Sequence, residues 1–189
     1  MPKSVLFDKA NVMSKVTDLF WRKGYNGTSM QDLVDVTGLN RSSFYNSFGD
    51  KFSLFEESLK YYQEIQMKNL NETFSEAKSP KEAIISLFEG IQEEVTSGKE
   101  NKGCFLSNCT SELSIENQTI RNFLIDNKDQ VVNSFKTLIE QAQEEGEINF
   151  SKNADTLALY LFSSLHGLRI TSMIDPDIQG VTEEILNSL

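Results

Sequence analysis

This chain of 189 residues is predicted to be all-α. Its apolar residues recur at helical spacing, as Ile84, Leu87, Phe88, Ile91 and Val95 do along one face. Helix start signals precede such stripes. The strongest is Ser79-Pro80-Lys81-Glu82, where Ser caps, Pro takes the first helical position and Glu closes the box. No stretch alternates apolar and polar residues in the two-residue period of a strand, and neither an internal repeat nor a low-complexity tract is present.

The first predicted helix covers residues 8–23, with Met13, Val16, Leu19 and Phe20 as its buried stripe and Phe7 and Trp21 assigned to the core. Residues 28–51, TSMQDLVDVTGLNRSSFYNSFGDK, read as two short helices around a glycine turn, followed by the start of another helix. Thr28 and Gln31 are spaced as a capping box, and Met30, Leu33 and Val34 supply the apolar face behind it. Gly38 stands where a left-handed residue ends a helix, a conformation in which a Cβ would clash. Asn40 caps the second helix, which exposes Arg41, Ser42, Ser43, Tyr45 and Asn46 and turns Leu39, Phe44 and Phe48 to the core. Gly49 closes it, and Asp50 caps the next helix with Lys51 in its first turn. This is the grammar of a helix-turn-helix over about residues 28–47, whose second helix offers small polar donors, one Arg and one Tyr to DNA.

The helix that starts at Asp50 is predicted to run to about residue 74 through Phe52, Phe55, Leu59, Tyr62, Ile65 and Leu70, joining the first part of the chain to the rest. Beyond the helix capped by Ser79, residues 98–102 form a polar loop and residues 103–113 a short helix. A long helix over 117–145 ends at Gly146. Residues 153–174 make an apolar helix stopped by Asp175-Pro176, and a short helix over 178–188 follows.

Phe20, Gly24-Tyr25, Thr28-Ser29-Met30, Leu33, Gly38-Leu39, Phe44-Tyr45, Phe48 and Lys51-Phe52 with Leu54-Phe55 resemble the amino-terminal domain of the TetR family of bacterial repressors. The resemblance covers roughly residues 5–65 and rests on the whole ordered set. It departs at Ser47, where the family often has His. It implies an amino-terminal three-helix helix-turn-helix DNA-binding domain, residues 5–65, and a carboxy-terminal helical domain for effector binding and dimerisation, residues 66–189. The DNA-binding set is then Thr28, Gln31, Asn40, Arg41, Ser42, Ser43, Tyr45, Asn46 and Lys51. Arg41 and Asn46 suit bidentate reading of base edges, and Tyr45 and Lys51 suit phosphate. The resemblance further implies a homodimer whose last two long helices pair with their mates, with Leu161, Leu165 and Gly167 at the seam. It also implies an apolar pocket, with Tyr62, Met67, Phe88, Ile91, Cys104, Phe105, Asn108, Phe162 and His166 as candidate lining.

A net charge of −10 sits badly with DNA binding until its distribution is read. Residues 1–60 hold 8 Lys+Arg against 7 Asp+Glu, a balance of +1, and residues 61–189 hold 10 against 21, a balance of −11. The acid belongs to the part that would face away from DNA. Lys3, Lys9, Lys15, Arg22, Lys23, Arg41 and Lys51 are left for phosphates, a modest footprint. No membrane span is expected, since the longest uncharged run, residues 156–168, is too short. No apolar signal region opens the chain, so a cytoplasmic protein is expected. Two Cys argue against a disulfide framework.

Cys104 follows Gly103 near a helix start, where the helix dipole lowers a thiol pKa and Lys102 adds to the effect. Cys109, five residues on, points about 140° away around the axis. Two readings of Cys104 stand: a small buried packing residue, or a sensor of an electrophile or oxidant. His166, the sole His, has no carboxylate or Cys spaced to share a metal, so neither a metal nor a cofactor is expected. No Ser/His/Asp order, phosphate-cradling glycine loop or apolar carboxylate pair supports an enzyme. The expected function is a homodimeric regulator of transcription, a repressor released from a palindromic operator in double-stranded DNA by a small apolar or electrophilic effector. The alternative is a helical interaction protein of the same fold without a specific operator.

Overall fold

A computed structural model describes residues 9–189. Lys3, Phe7 and the expected helix start at Asp8 lie outside the described residues. Among the described residues there are nine helices and no strand: α1 (Lys9–Gly27), α2 (Met30–Thr37), α3 (Arg41–Phe48), α4 (Lys51–Glu76), α5 (Pro80–Thr96), α6 (Phe105–Leu113), α7 (Gln118–Glu144), α8 (Ala154–Thr171) and α9 (Gln179–Asn187).

In α1, Val12, Met13, Val16 and Phe20 are buried and Leu19 packs half-buried beside them. Regular helix stops at Gly24, whose φ of 71° breaks α1 one turn before its end. Only Gly fits there, for two reasons. The left-handed φ disfavours any other residue, and a Cβ would lie 2.7 Å from the Glu112 carboxylate. The break frees the backbone N–H groups of Tyr25 and Asn26, and both donate to that carboxylate, at 3.0 and 2.7 Å.

The cap of α2 corrects the sequence reading by one residue. Ser29, in extended backbone, accepts from Asp32 N, and Asp32 accepts from Ser29 N at 2.8 Å, so the box is Ser29–Asp32 and not Thr28–Gln31. Thr28 is buried and donates its hydroxyl to Gly24 O at 2.6 Å, while Gln31 donates to Asp35. The Lys23 ammonium, 2.7 Å from Asp32, joins Ser29 in holding that carboxyl well below the usual carboxylate range. Gly38 is left-handed at φ 68°, and Asn40 and Asp50 cap α3 and α4 by accepting from Ser43 N and Ser53 N.

Helix α4 runs unbroken across the expected domain boundary at residue 65. Its buried stripe holds Leu54, Phe55, Ser58, Leu59, Tyr62 and Leu70, whereas Phe52 is half-buried and Ile65 is exposed. The stripe turns there because Leu54, Phe55, Leu59 and Tyr62 join the core that holds α1, whereas Met67 and Phe74 pack against the core that holds α5. At α5, Ser79 accepts from Glu82 N as read, but the Glu82 carboxylate reaches back to Lys78 N instead of closing the box on Ser79. Helix α6 starts at Phe105, with Cys104 in extended backbone as its cap residue.

Two apolar cores result. One gathers Val16, Phe20, Leu33, Phe44, Phe48 and Phe55 from α1–α4 with Phe105, Cys109 and Leu113 of α6. The other gathers Ile84, Phe88, Phe135, Ile139, Leu161 and Ile185 from α5, α7, α8 and α9. Helix α6 therefore belongs to the core of the amino-terminal head. Phe105 sets ring edges against Phe55, at 5.8 Å between centroids, and Tyr62, at 5.7 Å. Phe105→Ala should cost about 3–5 kcal/mol of unfolding free energy, and Ile65→Ala less than about 0.5 kcal/mol, in chemical denaturation. Equal losses from the two would refute this division of burial.

Candidate DNA-reading face and effector cavity

Helix α3 buries Phe44 and Phe48 and thereby turns Arg41, Ser42, Tyr45 and Asn46 outward, with Ser43 half-buried between the two sets. Not every residue of the expected DNA set reaches that face. Thr28 is buried, so it shapes the head, while exposed Asn40 caps α3 through Oδ1. Several cations assigned to phosphates already have protein partners: Lys9 pairs with Glu57, Arg22 with Asp18 and Glu100, and Lys23 with Asp32. Arg41 has no ion pair among the described residues. The Lys51 ammonium sits 4.3 Å from the centre of the Tyr25 ring, held at the first turn of α4.

A cavity of about 430 Å³ lies between α4, α5, α7 and α8 and is lined as well by Trp21 of α1, Cys104 and Leu106. Of the nine expected lining residues, Tyr62, Met67, Ile91, Cys104 and His166 line it. The other four do not. Phe88 stacks on Phe135 in the second core, Phe105 packs between Phe55 and Tyr62, and Asn108 donates to Lys102 O. The Phe162 ring lies against His166, 4.2 Å between centroids. Leu70, Leu87, Val131 and Leu165 complete the apolar wall, and Gln66, Asn69, Asn127, Glu94 and Arg169 bring polar groups to it. One sequence signal was available for Arg169: it is the one Lys or Arg of an apolar helix whose other formal charge, Asp155, sits in the first turn.

The polar groups around the cavity are tightly partnered. Burial, with the Cys104 thiol as neighbour, raises the Tyr62 phenol well above its ordinary range. His166 hydrogen-bonds through Nδ1 to Ser107 Oγ, and burial together with the nearby Arg169 lowers its pKa to about 4. Arg169 donates from Nη1 to Glu94 at 2.6 Å. Both cysteines are free, and burial pushes the Cys109 thiol up to about 12. Lys102 does not serve Cys104 as expected, because its ammonium bonds Asp18 and lies 4.1 Å over the Trp21 ring. Its carbonyl accepts from Trp21 Nε1 at 3.0 Å. Among the described residues no group of three or more His, Cys, Asp or Glu is placed to hold a metal.

Helix α8 turns Leu157, Ala158, Leu161 and Leu168 inward. Leu161 is fully buried within the chain and Leu165 lines the cavity, so these two expected seam residues face inward. Gly167 is on the outer face with open space above it, beside exposed Tyr160, Ile170 and Ile174, and Val181 of α9 is exposed as well.

Two family models match this chain. "Bacterial regulatory proteins, tetR family" matches residues 15–58, and "Tetracyclin repressor-like, C-terminal domain" matches residues 80–183. The chain belongs to the TetR family. It is a DNA-binding transcriptional regulator and not an enzyme. It is similar to the HTH-type transcriptional repressor ComR of Escherichia coli (strain K12), 30% identical over 168 residues that cover 88% of this chain and 80% of that protein. The HTH-type transcriptional regulator YezE of Bacillus subtilis (strain 168) is 27% identical over 190 residues, 100% of this chain and 98% of YezE. Among solved structures, a cysteine variant of the TetR-family regulator CifR in complex with 26-bp operator DNA shares the fold. Its TM-score is 0.86 at 22% identity, covering 100% of this chain and 99% of that one. No helix among the described residues is long and apolar enough to cross a membrane.

The TetR-family cavity carries two measurable consequences. An unfolded chain protonates His166 below about pH 6.5, whereas the fold resists until about 4. Within that window each unit of falling pH should remove about 1.4 kcal/mol of stability, and above it the site should contribute no slope. His166→Gln should flatten the slope in denaturation at stepped pH, and an unchanged slope would remove the assignment. With an alkylating reagent at neutral pH, Cys104→Ser should abolish the faster phase and Cys109→Ser should leave it, since the thiolate of Cys109 is suppressed. Cys109 reacting as fast as Cys104 would contradict its burial.

Proposed function

We propose that the protein is a homodimeric repressor that places Arg41, Ser42, Tyr45 and Asn46 of each subunit in successive major grooves of a palindromic operator. The observation that carries this reading is the outward face of α3, where Arg41 has no ion pair among the described residues while Phe44 and Phe48 anchor the helix from behind. Repression agrees with the names of ComR and of DhaR from Mycobacterium sp. (strain GP1), which is 26% identical over 88% of this chain. The dimer seam runs along the outer face of α8 and α9, through Tyr160, Gly167, Ile170, Ile174 and Val181, where exposed apolar side chains flank a glycine that admits a close helix.

Release follows from a small molecule in the cavity. Cys104 and Leu106 belong to the cavity wall, and a few residues on, Glu112 holds the backbone just ahead of α2. A ligand that prefers a shifted α6 lowers operator affinity by its differential binding to the two arrangements. Helix α4, which lines the cavity with Tyr62 and starts at Lys51, moves with it.

The test is a footprint on the DNA beside the gene, with a two-fold symmetric pattern expected from a dimer. Arg41→Ala should cost about 1–3 kcal/mol per half-site and relax base choice. Lys51→Ala should weaken binding to all sequences alike and flatten the salt dependence by about one unit per half-site. Identical behaviour of the two variants across an operator library would refute the division of roles, and a wild-type monomer on asymmetric DNA would refute the dimer.

A further inference from the structure

We propose that the cavity takes an amphipathic organic acid, whose carboxylate binds Arg169 in place of Glu94. This rests on the reading of the cavity as the effector site. Among the described residues two charged side chains line it, Glu94 and Arg169, and they are paired with each other. The pair is unequal. The Arg169 side chain is 19% exposed and that of Glu94 is 55% exposed. A ligand that breaks the pair must leave one partner to water, and Glu94 on the outer side of α5 reaches water freely. Arg169 does not, and an unpaired charge in so buried a place is expensive.

An incoming carboxylate therefore exchanges one partner of Arg169 for another while Glu94 swings into solvent. An incoming cation would take Glu94 and strand Arg169 beside a second positive charge. A neutral ligand leaves the pair intact and gains only apolar contact. The guanidinium has donors to spare for a forked carboxylate, since Nη1 makes its one hydrogen bond among the described residues, to Glu94. The neighbouring ring of His166 stays neutral at pH 7, so no second cation competes for the acid group. Away from this pair the apolar part of the wall, Met67, Leu70, Leu87, Ile91 and Val131, suits an alkyl or aryl body.

The sole Trp of the chain, Trp21, lines the same cavity, and its fluorescence reports occupancy without DNA. Decanoate, decanamide and decylammonium, each below its micelle concentration, share one tail and differ in head charge. Decanoate should bind at least about tenfold tighter than the other two, the ratio expected of a charge-assisted hydrogen bond in a half-buried site. Arg169→Gln should erase that preference, so that decanoate binds no tighter than decanamide. Arg169→Lys, which keeps the charge, should retain a reduced preference and guards against a fold lost in the Gln variant. Glu94→Gln should tighten decanoate, because the competing carboxylate is gone.

Equal affinity for decanoate and decanamide, tightest binding of decylammonium with loss in Glu94→Gln, or no response to any of the three would each overturn the proposal. The operator footprint is read separately. A protein that binds decanoate through Arg169 but no operator would sink the repressor reading and leave this one standing.

Discussion

Phe105 lies with its ring against Phe55 on one side and Tyr62 on the other, and most of the architecture follows from that placement. It brings α6 into the core of the amino-terminal head, where Cys109 and Leu113 continue its buried side toward α1 and α4. A three-helix head of this size has little apolar surface to bury alone, and small domains are correspondingly marginal. The shared core supplies the missing burial. The same ring backs Tyr62, which lines the cavity, so one aromatic cluster touches both the core of the amino-terminal head and the cavity.

Polar contacts run along the same seam. The break of α1 at Gly24 presents two unsatisfied N–H groups, and Glu112 of α6 meets both. Farther back on α1, Trp21 donates to Lys102 O and Lys102 returns its ammonium to Asp18. The loop before α6 and the end of α6 are thus fastened to α1 at points on either side of its last regular turn. A displacement of α6 has to move the chain that leads into α2 or break these bonds. In the proposed release, these bonds would carry a shift of α6 to the chain ahead of α2.

The charge asymmetry of the chain has a local counterpart. Lys9, Arg22 and Lys23 belong to the nearly neutral amino-terminal third, yet each is neutralised by a carboxylate within the fold. In the proposed DNA complex, phosphate attraction falls to the expected cations without an ion pair among the described residues, Lys15, Arg41 and Lys51, and to the backbone N–H groups at helix starts, with a correspondingly shallow salt dependence. The cavity shows the opposite economy. Its one cation and one anion cancel, its His is neutral, and its remaining polar groups are amides and hydroxyls.

Local pattern determined the helices, the glycine turn at Gly38, the caps at Asn40, Asp50 and Ser79, and the outward set Arg41, Ser42, Tyr45 and Asn46. Each is decided within one or two turns, by backbone stereochemistry or by which face of a short helix is apolar. The cap of α2 slipped by one residue because Thr28 and Ser29 are both competent caps, and the burial of Thr28 against Gly24 O, a contact set by the kink, chose between them. Tertiary packing alone decided the rest. Ile65 carries the helical period of its neighbours but falls where α4 exchanges α1 for α5, so it faces water. Phe88, Phe105 and Leu161 look like cavity or seam residues by composition, yet each fills a core, because apolar character does not say which neighbour a side chain meets. Arg169 and Glu94, 75 residues apart, and Glu112 with the Tyr25 and Asn26 amides become partners only when distant helices cross, and no local pattern encodes that meeting.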